Sequence, residues 1–280
     1  MYDVIEKIGN STIQHGPNNN RIYLMKLHKD DYPNVIKKLD LLAVENHYTK
    51  IVAKVPTWAI DSFKSNGYIK EAYIPNFYDG KVDVYFFSKF MDHSRSIIDS
   101  QARNVIDKNI ELALSKQGKP YVIQENPSFN LKILNDTDAS ELAKIYKKVF
   151  KSYPFPIFKE DYLKKTMQEN VVYFGVFKDK QLIAVSSAEM DIIAKNAEMT
   201  DFATDPEFRG NNLSLILLRE MEAEMRKRKI KTVYTIARSF SAGMNITFAK
   251  MDYEYSGTLI NNTDIFGKIE SMNVWYKSLF

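Results

Sequence analysis

Between Val171 and Arg228 the chain alternates in a way that few folds can accommodate. Two apolar runs, Val171–Phe177 and Leu182–Met190, flank the polar turn Lys178-Asp179-Lys180-Gln181, which is the mark of a β-hairpin. A third strand-like run, Ala197–Thr204, is followed by Asp205-Pro206, a loop, and an amphipathic helix from Asn212 to Arg228 with Leu213, Leu217, Met221 and Met225 on one face. Hairpin, strand and long helix in this order require a sheet with helices laid on its faces.

The flanking sequence extends the same plan. Upstream, Leu131–Leu134 reads as a strand, and Asp138 with Glu141 forms a capping-box pattern ahead of a helix whose Leu142, Ile145, Tyr146, Val149 and Phe150 recur at helical spacing before Pro154. A shorter helix is expected over Lys159–Gln168. Downstream come a strand (Thr232–Ala237), a helix (Ala242–Met251) and two further strands (Tyr253–Ile260, Ile269–Tyr276). The order β-α-α-β-β-β-α-β-α-β-β predicts an α/β fold, α+β in character, on a mixed sheet. The first ninety residues repeat part of it: strand Arg21–Leu27, helix Tyr32–Glu45, strand Lys50–Val55, helix Trp58–Ser65 and strand Val82–Phe90. Ser62-Phe63-Lys64-Ser65-Asn66-Gly67-Tyr68 aligns with Thr247-Phe248-Ala249-Lys250-Met251-Asp252-Tyr253, each a helix end turning into a strand. The reading is a degenerate half-copy over 1–92, a helical connector over 93–125 carrying Ile97, Ile98, Val105, Ile106 and Leu112, and the full unit over 126–280.

Composition narrows the chemistry. With no cysteine among 280 residues, disulfides, thiolate metal sites and cysteine nucleophiles are excluded, and the four histidines show no ligand spacing, so no metal is expected. The formal charge of +4 is spread along the chain, which suits an anionic cofactor; no nucleic-acid partner is assigned. The longest apolar stretches are strand-sized, so the expectation is a cytoplasmic protein with no membrane partner. A homodimer stays open, because a protected sheet edge and a two-fold interface leave the same apolar signature.

Chemistry concentrates in Asp205-Pro206-Glu207-Phe208-Arg209-Gly210-Asn211-Asn212-Leu213-Ser214, which joins a strand to the long helix. Backbone N–H groups in the first helical turn lack internal partners and the helix dipole adds positive potential, so a pyrophosphate fits there with Arg209 alongside. Of the acids on the preceding strand, Glu198 and Asp201 fall on opposite pleats, and only one faces a site unless a bulge intervenes.

This segment resembles the acetyl-CoA signature of the GNAT superfamily, Q/R-x-x-G-x-G/A, with Arg209 first, Asn212 in place of glycine and Ser214 at the small position. Asn tolerates the left-handed conformation that the glycine position needs. The resemblance implies that Phe202, Ala203 and Thr204 present their backbone to the pantetheine arm of acetyl-CoA, and that the amides of Gly210, Asn211, Asn212, Leu213, Ser214 and Leu215 meet its pyrophosphate. It also implies a glutamate base at Glu198, with Asp201 as the alternative or as a partner for the ammonium. Backbone amides near Phe202 and Ala203 would hold the oxyanion. Where the family usually carries a tyrosine acid this chain has Phe248, leaving Tyr253, Tyr255 or solvent for that role.

The acceptor end is read the same way. Glu189, Asp191, Glu198 and Asp201 favour a cationic amine, and the loop Ser152–Phe158 would cover it with Tyr153 and Phe155. Over nearly its full length the chain resembles the β-lysine N-acetyltransferase family. Ile5–Ser11, Gln14–Pro17, Glu198–Thr204, Gly243–Ala249, Leu259–Thr263 and Glu270–Lys277 carry the likeness. That family makes Nε-acetyl-β-lysine, a net-neutral compatible solute, which implies a small-molecule amine, β-lysine, as acceptor; Arg238 and Asn245, beside the expected acceptor pocket and outside any family motif, are the candidates for holding its carboxylate. Two other readings stand beside it: a GNAT enzyme for lysine, a polyamine or a protein amine, and a coenzyme-binding module that has lost turnover.

Overall fold

The computed structural model describes residues 3–123, 126–151, 153–265 and 267–280. In chain order the elements are β1 (Val4–Ile8), β2 (Ser11–Gly16), β3 (Arg21–Lys26), α1 (Asn34–Glu45), β4 (Lys50–Pro56), α2 (Ile60–Ser65), β5 (Ile69–Tyr78), β6 (Val82–Phe90), α3 (Ser100–Leu114), β7 (Phe129–Ile133), α4 (Ala139–Val149), α5 (Glu160–Glu169), β8 (Val171–Lys178), β9 (Gln181–Asp191), β10 (Asn196–Thr204), α6 (Leu213–Lys227), β11 (Thr232–Arg238), α7 (Ala242–Lys250), β12 (Glu254–Ile265) and β13 (Lys268–Ser278). They build two mixed sheets, one ordered β1-β2-β3-β4-β6-β5 and the other β12-β13-β11-β10-β9-β8-β7. Read from β8, the second sheet runs β8-β9-β10-β11-β13-β12, the same path as the first. In each, one parallel pair with a crossover helix (β3/β4 around α1, β10/β11 around α6) sits at the centre of antiparallel neighbours. The N-terminal unit therefore carries the topology of the C-terminal one without β7, α4 and α5.

The aligned helix ends fold alike. The amide of Tyr68 bonds the carbonyl of Phe63 at 3.1 Å and that of Tyr253 bonds Phe248 at 3.1 Å, each across a left-handed residue, Gly67 or Asp252. The Phe63–Tyr68 and Phe248–Tyr253 rings meet edge to face, both with centroids 5.0 Å apart.

Alternation in the central strands sorts the side chains into layers. Ile22, Leu24, Ile51, Ala53 and Val55 face α1 and α2, whereas Ala72, Ile74, Phe77, Val84 and Phe86 pack directly on Tyr234, Leu259, Met272 and Val274 of the second sheet. The far face of that sheet holds α6 and α7 over Met199, Val233 and Trp275, and α4 and α5 cover the other end of the near face over Tyr173 and Val185. Strands buried on both sides, such as β8, read as continuous apolar runs for this reason. The sheets also touch at their edges: a Cβ on Gly257 of β12 would run into the Glu71 carbonyl of β5. Buried cations bind the units together. Arg21 donates to the carbonyl of Asn262 at 2.7 Å, Lys50 to that of Ile260 at 2.7 Å, and Arg95 to that of Asn261 at 2.7 Å.

The structure corrects one sequence expectation and adds to two others. The capping box lies one turn earlier than expected: Asn135 accepts from Thr137, and Asp138 accepts from the Asn135 amide at 3.0 Å, while Glu141 pairs with Lys144. β1, β2 and β5 carry no clear apolar period, since β1 is an exposed edge and β5 is broken by Pro75 and a left-handed Asn76. The connector helix is docked: α3 packs against α7, Asn109 donates to Ser239 and Gln117 to Tyr253. Gln124 and Glu125, the end of that connector, lie outside the described residues.

Candidate active site

The central parallel pair holds only briefly. Asn196, Ala197 and Glu198 of β10 register with Thr232, Val233 and Tyr234 of β11, and no further pairs form beyond them. Past that point the strands diverge around a cleft of about 810 Å³, with Thr200, Asp201, Phe202 and Thr204 on one wall and Thr235, Ile236, Ala237 and Arg238 on the other. Its mouth is the β10–α6 junction, through Phe208, Arg209, Gly210, Asn212, Leu213, Ser214 and Leu215, and its floor reaches α7 at Met244, Thr247 and Phe248.

The junction has the features of an anion cradle. Gly210 (φ 85°) and Asn212 (φ 56°) are both left-handed, and Asn212 starts the helix without a side-chain cap. This leaves the amides of Leu213 and Ser214 without an acceptor among the described residues, while a Cβ on Gly210 would meet nothing within 4 Å. The amide of Leu215 is already committed, at 3.0 Å, to the carbonyl of Asn212, so it leaves the expected donor set. Asn211 is exposed beside the loop with its amide bonded to Phe208, and Ala203 is buried under α4. Amides without an acceptor among the described residues, an open left-handed glycine and the adjacent Arg209 fit a diphosphate.

A bulge decides the pleat question. The β9–β10 register shifts between Thr200 and Ala203, and Asp201 within it is left-handed (φ 55°). The extra residue brings Asp201 onto the face that already carries Glu198 and Glu189. Glu198 has Glu189 opposite it on β9 and Tyr234 opposite on β11. Asp201 accepts hydrogen bonds from the Tyr153 hydroxyl and from Ser187 Oγ at 2.6 Å. Burial raises the pKa of Asp201 against the hydrogen bonds from Ser187, Tyr153 and Thr200. Burial also raises Glu198, opposed by Lys54 and Tyr234, and raises Glu189 with the Asp201 and Glu198 charges adding to it. This carboxylate set holds protons above the usual range.

The other expected site residues divide. Tyr153 lines the cleft, whereas Phe155 packs into the α4–α5 core. Ser152, at the head of that loop, lies outside the described residues. Arg238 lines the cleft, but its guanidinium is held bidentately by Glu270 at 2.9 Å. Asn245 is fully buried and its amide is used up, donating to the carbonyls of Arg238 and Ser241 and accepting from Asn273 and Trp275, so it fixes the β11–α7 turn instead of facing a ligand. Tyr253 and Tyr255 lie away from the cleft: Tyr253 is in the core beneath Phe248, and Tyr255 packs at a tilt against Trp275 with its hydroxyl on Thr258. Sequence reasoning passed over Ser187, Tyr234 and Lys54. Their signal is a polar or charged side chain inside an otherwise buried central strand.

The profile of the acetyltransferase (GNAT) family matches residues 139–245, from α4 into α7, and so most of the residues that line the cleft. The chain is 46% identical over 279 residues to a protein of Methanococcus maripaludis named beta-lysine N(6)-acetyltransferase, covering 99% of each. It belongs to the GNAT acetyltransferases. Two further relatives support this N-acetyltransferase assignment along nearly the whole chain. The Bacillus subtilis N-acetyltransferase YodP is 31% identical over 96% of each chain, and the Methanosarcina mazei beta-lysine N(6)-acetyltransferase is 30% identical over 89% of this chain and 98% of its own. Among the described residues no helix is long and apolar enough to cross a membrane.

Proposed function

We propose that the protein acetylates the ε-amine of β-lysine to give Nε-acetyl-β-lysine, a compatible solute accumulated in the cytoplasm, with acetyl-CoA as donor. The names of the two archaeal relatives support the acceptor. The left-handed junction and the divergent strands support the donor site: Leu213 and Ser214 offer amides to the diphosphate, Arg209 adds charge, and Phe202 and Thr204 line the arm. Acetyl-CoA supplies, when bound, an acetyl group activated as a thioester.

The observation that carries the reading is the bulge, which sets the Asp201 carboxylate in the cleft wall on the face of Glu198 and Glu189. An alkyl ammonium has a pKa of about 10.4 and cannot attack until its proton is removed. Asp201, which lines the cleft, takes that proton. Tyr153 and Ser187 orient Asp201. This reverses the order the resemblance implied, since Glu198 is not among the residues that line the cleft and interacts instead with Lys54 and Tyr234.

The experiment is Asp201→Asn and Glu198→Gln, assayed by thiol release against β-lysine. Asp201→Asn should lower kcat/KM by about 100-fold or more, the usual worth of a positioned base. Full rate in both variants across neutral pH would remove the carboxylates from the mechanism.

A further inference from the structure

Four cations sit where the two units meet, Arg21, Lys50 and Arg95 buried and Lys54 half-buried. Three of them are bonded to backbone carbonyls, and Lys50 also to the Glu71 carboxylate at 2.8 Å. Lys54 differs. Among the described residues its Nζ makes one hydrogen bond, to the Tyr234 hydroxyl at 3.2 Å, and meets no carboxylate within 4.0 Å. What surrounds it instead is aromatic, with the rings of Tyr23, Phe77 and Tyr234 centred 5.6, 6.0 and 5.6 Å away. A half-buried ammonium held this loosely keeps donors to spare.

Its neighbours belong to the acceptor face. Tyr234 is the cross-strand partner of Glu198, and Glu198 that of Glu189. The charges acting most on Lys54 are those of Glu198, Glu189 and Asp191, which oppose the burial that lowers its pKa, with Lys26 beyond them already paired to Asp191 at 2.8 Å. Asp201 stands three residues along β10 from Glu198, roughly 10 Å at the rise of an extended strand and less across a bulge. Lys54, Glu198 and Glu189 are each part-exposed. One side of the molecule thus presents, in order, the cleft carboxylate, a pair of acids and a cation from the other unit.

We propose that Lys54 binds the carboxylate of the acceptor while Glu198 and Glu189 hold the adjacent ammonium, so that the N-terminal unit selects an amino acid over a bare diamine or polyamine. The proposal rests on the acceptor reading above and names the residue that enforces it. Three acids alone would favour the most cationic amine available. A fixed cation at the far end repels a second ammonium placed there and attracts an anion, which is discrimination by charge sign. Arg238 and Asn245, the groups first expected to hold that carboxylate, are engaged by Glu270 and by the β11–α7 turn.

The test compares β-lysine with 1,4-diaminopentane, the same skeleton without the carboxylate, in wild type, Lys54→Met and Lys54→Arg. Wild type should prefer β-lysine by at least about tenfold in kcat/KM, the scale of one lost charge contact. Lys54→Met should raise KM for β-lysine by about tenfold or more with kcat little changed, leave the diamine within about twofold, and erase the preference; Lys54→Arg should retain most of it. Equal losses on both acceptors, or none, would overturn the proposal by reducing Lys54 to a packing residue. A wild type that uses the diamine as well as β-lysine overturns it without any variant, and leaves the acetyl-transfer reading intact. If wild type consumes neither acceptor yet acetylates another amine, the acceptor reading itself has failed and the proposal falls with it.

Discussion

The two halves of this molecule share a strand order and differ in chemistry. In the C-terminal unit the strand–helix junction leaves amides bare, behind a left-handed Asn212. In the N-terminal unit the corresponding junction holds no left-handed residue: its Asp31 turns back to accept from the amides of Asn10 and Ser11 and from Ser11 Oγ in the β1–β2 turn, and α1 begins after Pro33, which has no amide hydrogen. The central parallel pair there registers over four residues, Arg21–Leu24 with Lys50–Ala53, and β3, itself bulged against β2 between Leu24 and Lys26, ends two residues later. A GNAT topology alone therefore makes no donor site. What sets the C-terminal copy apart is the gap, with β10 running on to Thr204 past its last pair with β11, and the left-handed Gly210 and Asn212 ahead of α6; the copy without them serves as a wall.

The contrast can be broken at several points. Ser214→Glu puts an anion against the cradle and should raise KM for acetyl-CoA by about 100-fold, while Asn34→Glu at the start of α1 leaves it unchanged; equal effects in saturation kinetics would erase the distinction between the junctions. Lys50→Met strands the buried Glu71 carboxylate between the sheets and should cost about 3–5 kcal/mol in a denaturant titration, uncoupling the wall from the site.

Glu189→Gln addresses the acid set. Its folded pKa lies above its unfolded value, so the folded state binds more protons between the two. The stability this contributes is full below the ordinary glutamate range and is lost as pH rises through the raised value. Wild type should thus lose melting temperature from mildly acidic toward neutral pH, and the variant should show a shallower loss and a higher Tm at neutral pH. A parallel pair of curves would mean that Glu189 titrates as an ordinary carboxyl. The smallest effect concerns the duplicated helix end: Gly67→Ala at φ 82° should cost about 1 kcal/mol and Gly67→Asn less, because asparagine tolerates the conformation Asp252 already adopts in the other copy.

Much of this was legible beforehand. The hairpin, the long helix and the Arg209–Ser214 loop are local patterns, set by alternation, helical period and turn residues, and they appear where the spacing put them. The aligned Phe63 and Phe248 turns revealed the duplication for the same reason. What escaped depended on contacts between distant residues. Whether Asp201 shares a face with Glu198 hangs on one extra residue in β10, which pleat counting could only state as a condition. Asn245 looked like a free amide because Trp275 and Asn273 are nearly thirty positions away. Lys54 became relevant only when the second sheet was laid against the first.

The single inserted position in β10 also works as a phase shifter. Ahead of it the strand sends its even-numbered side chains to the face that carries Glu189; behind it the phase reverses, and Phe202 turns toward α6 and α7 while Ala203 slips under α4. One strand can in this way serve two reactants that arrive from opposite sides of a sheet. Deleting a residue there would leave both binding surfaces recognisable yet out of step with each other.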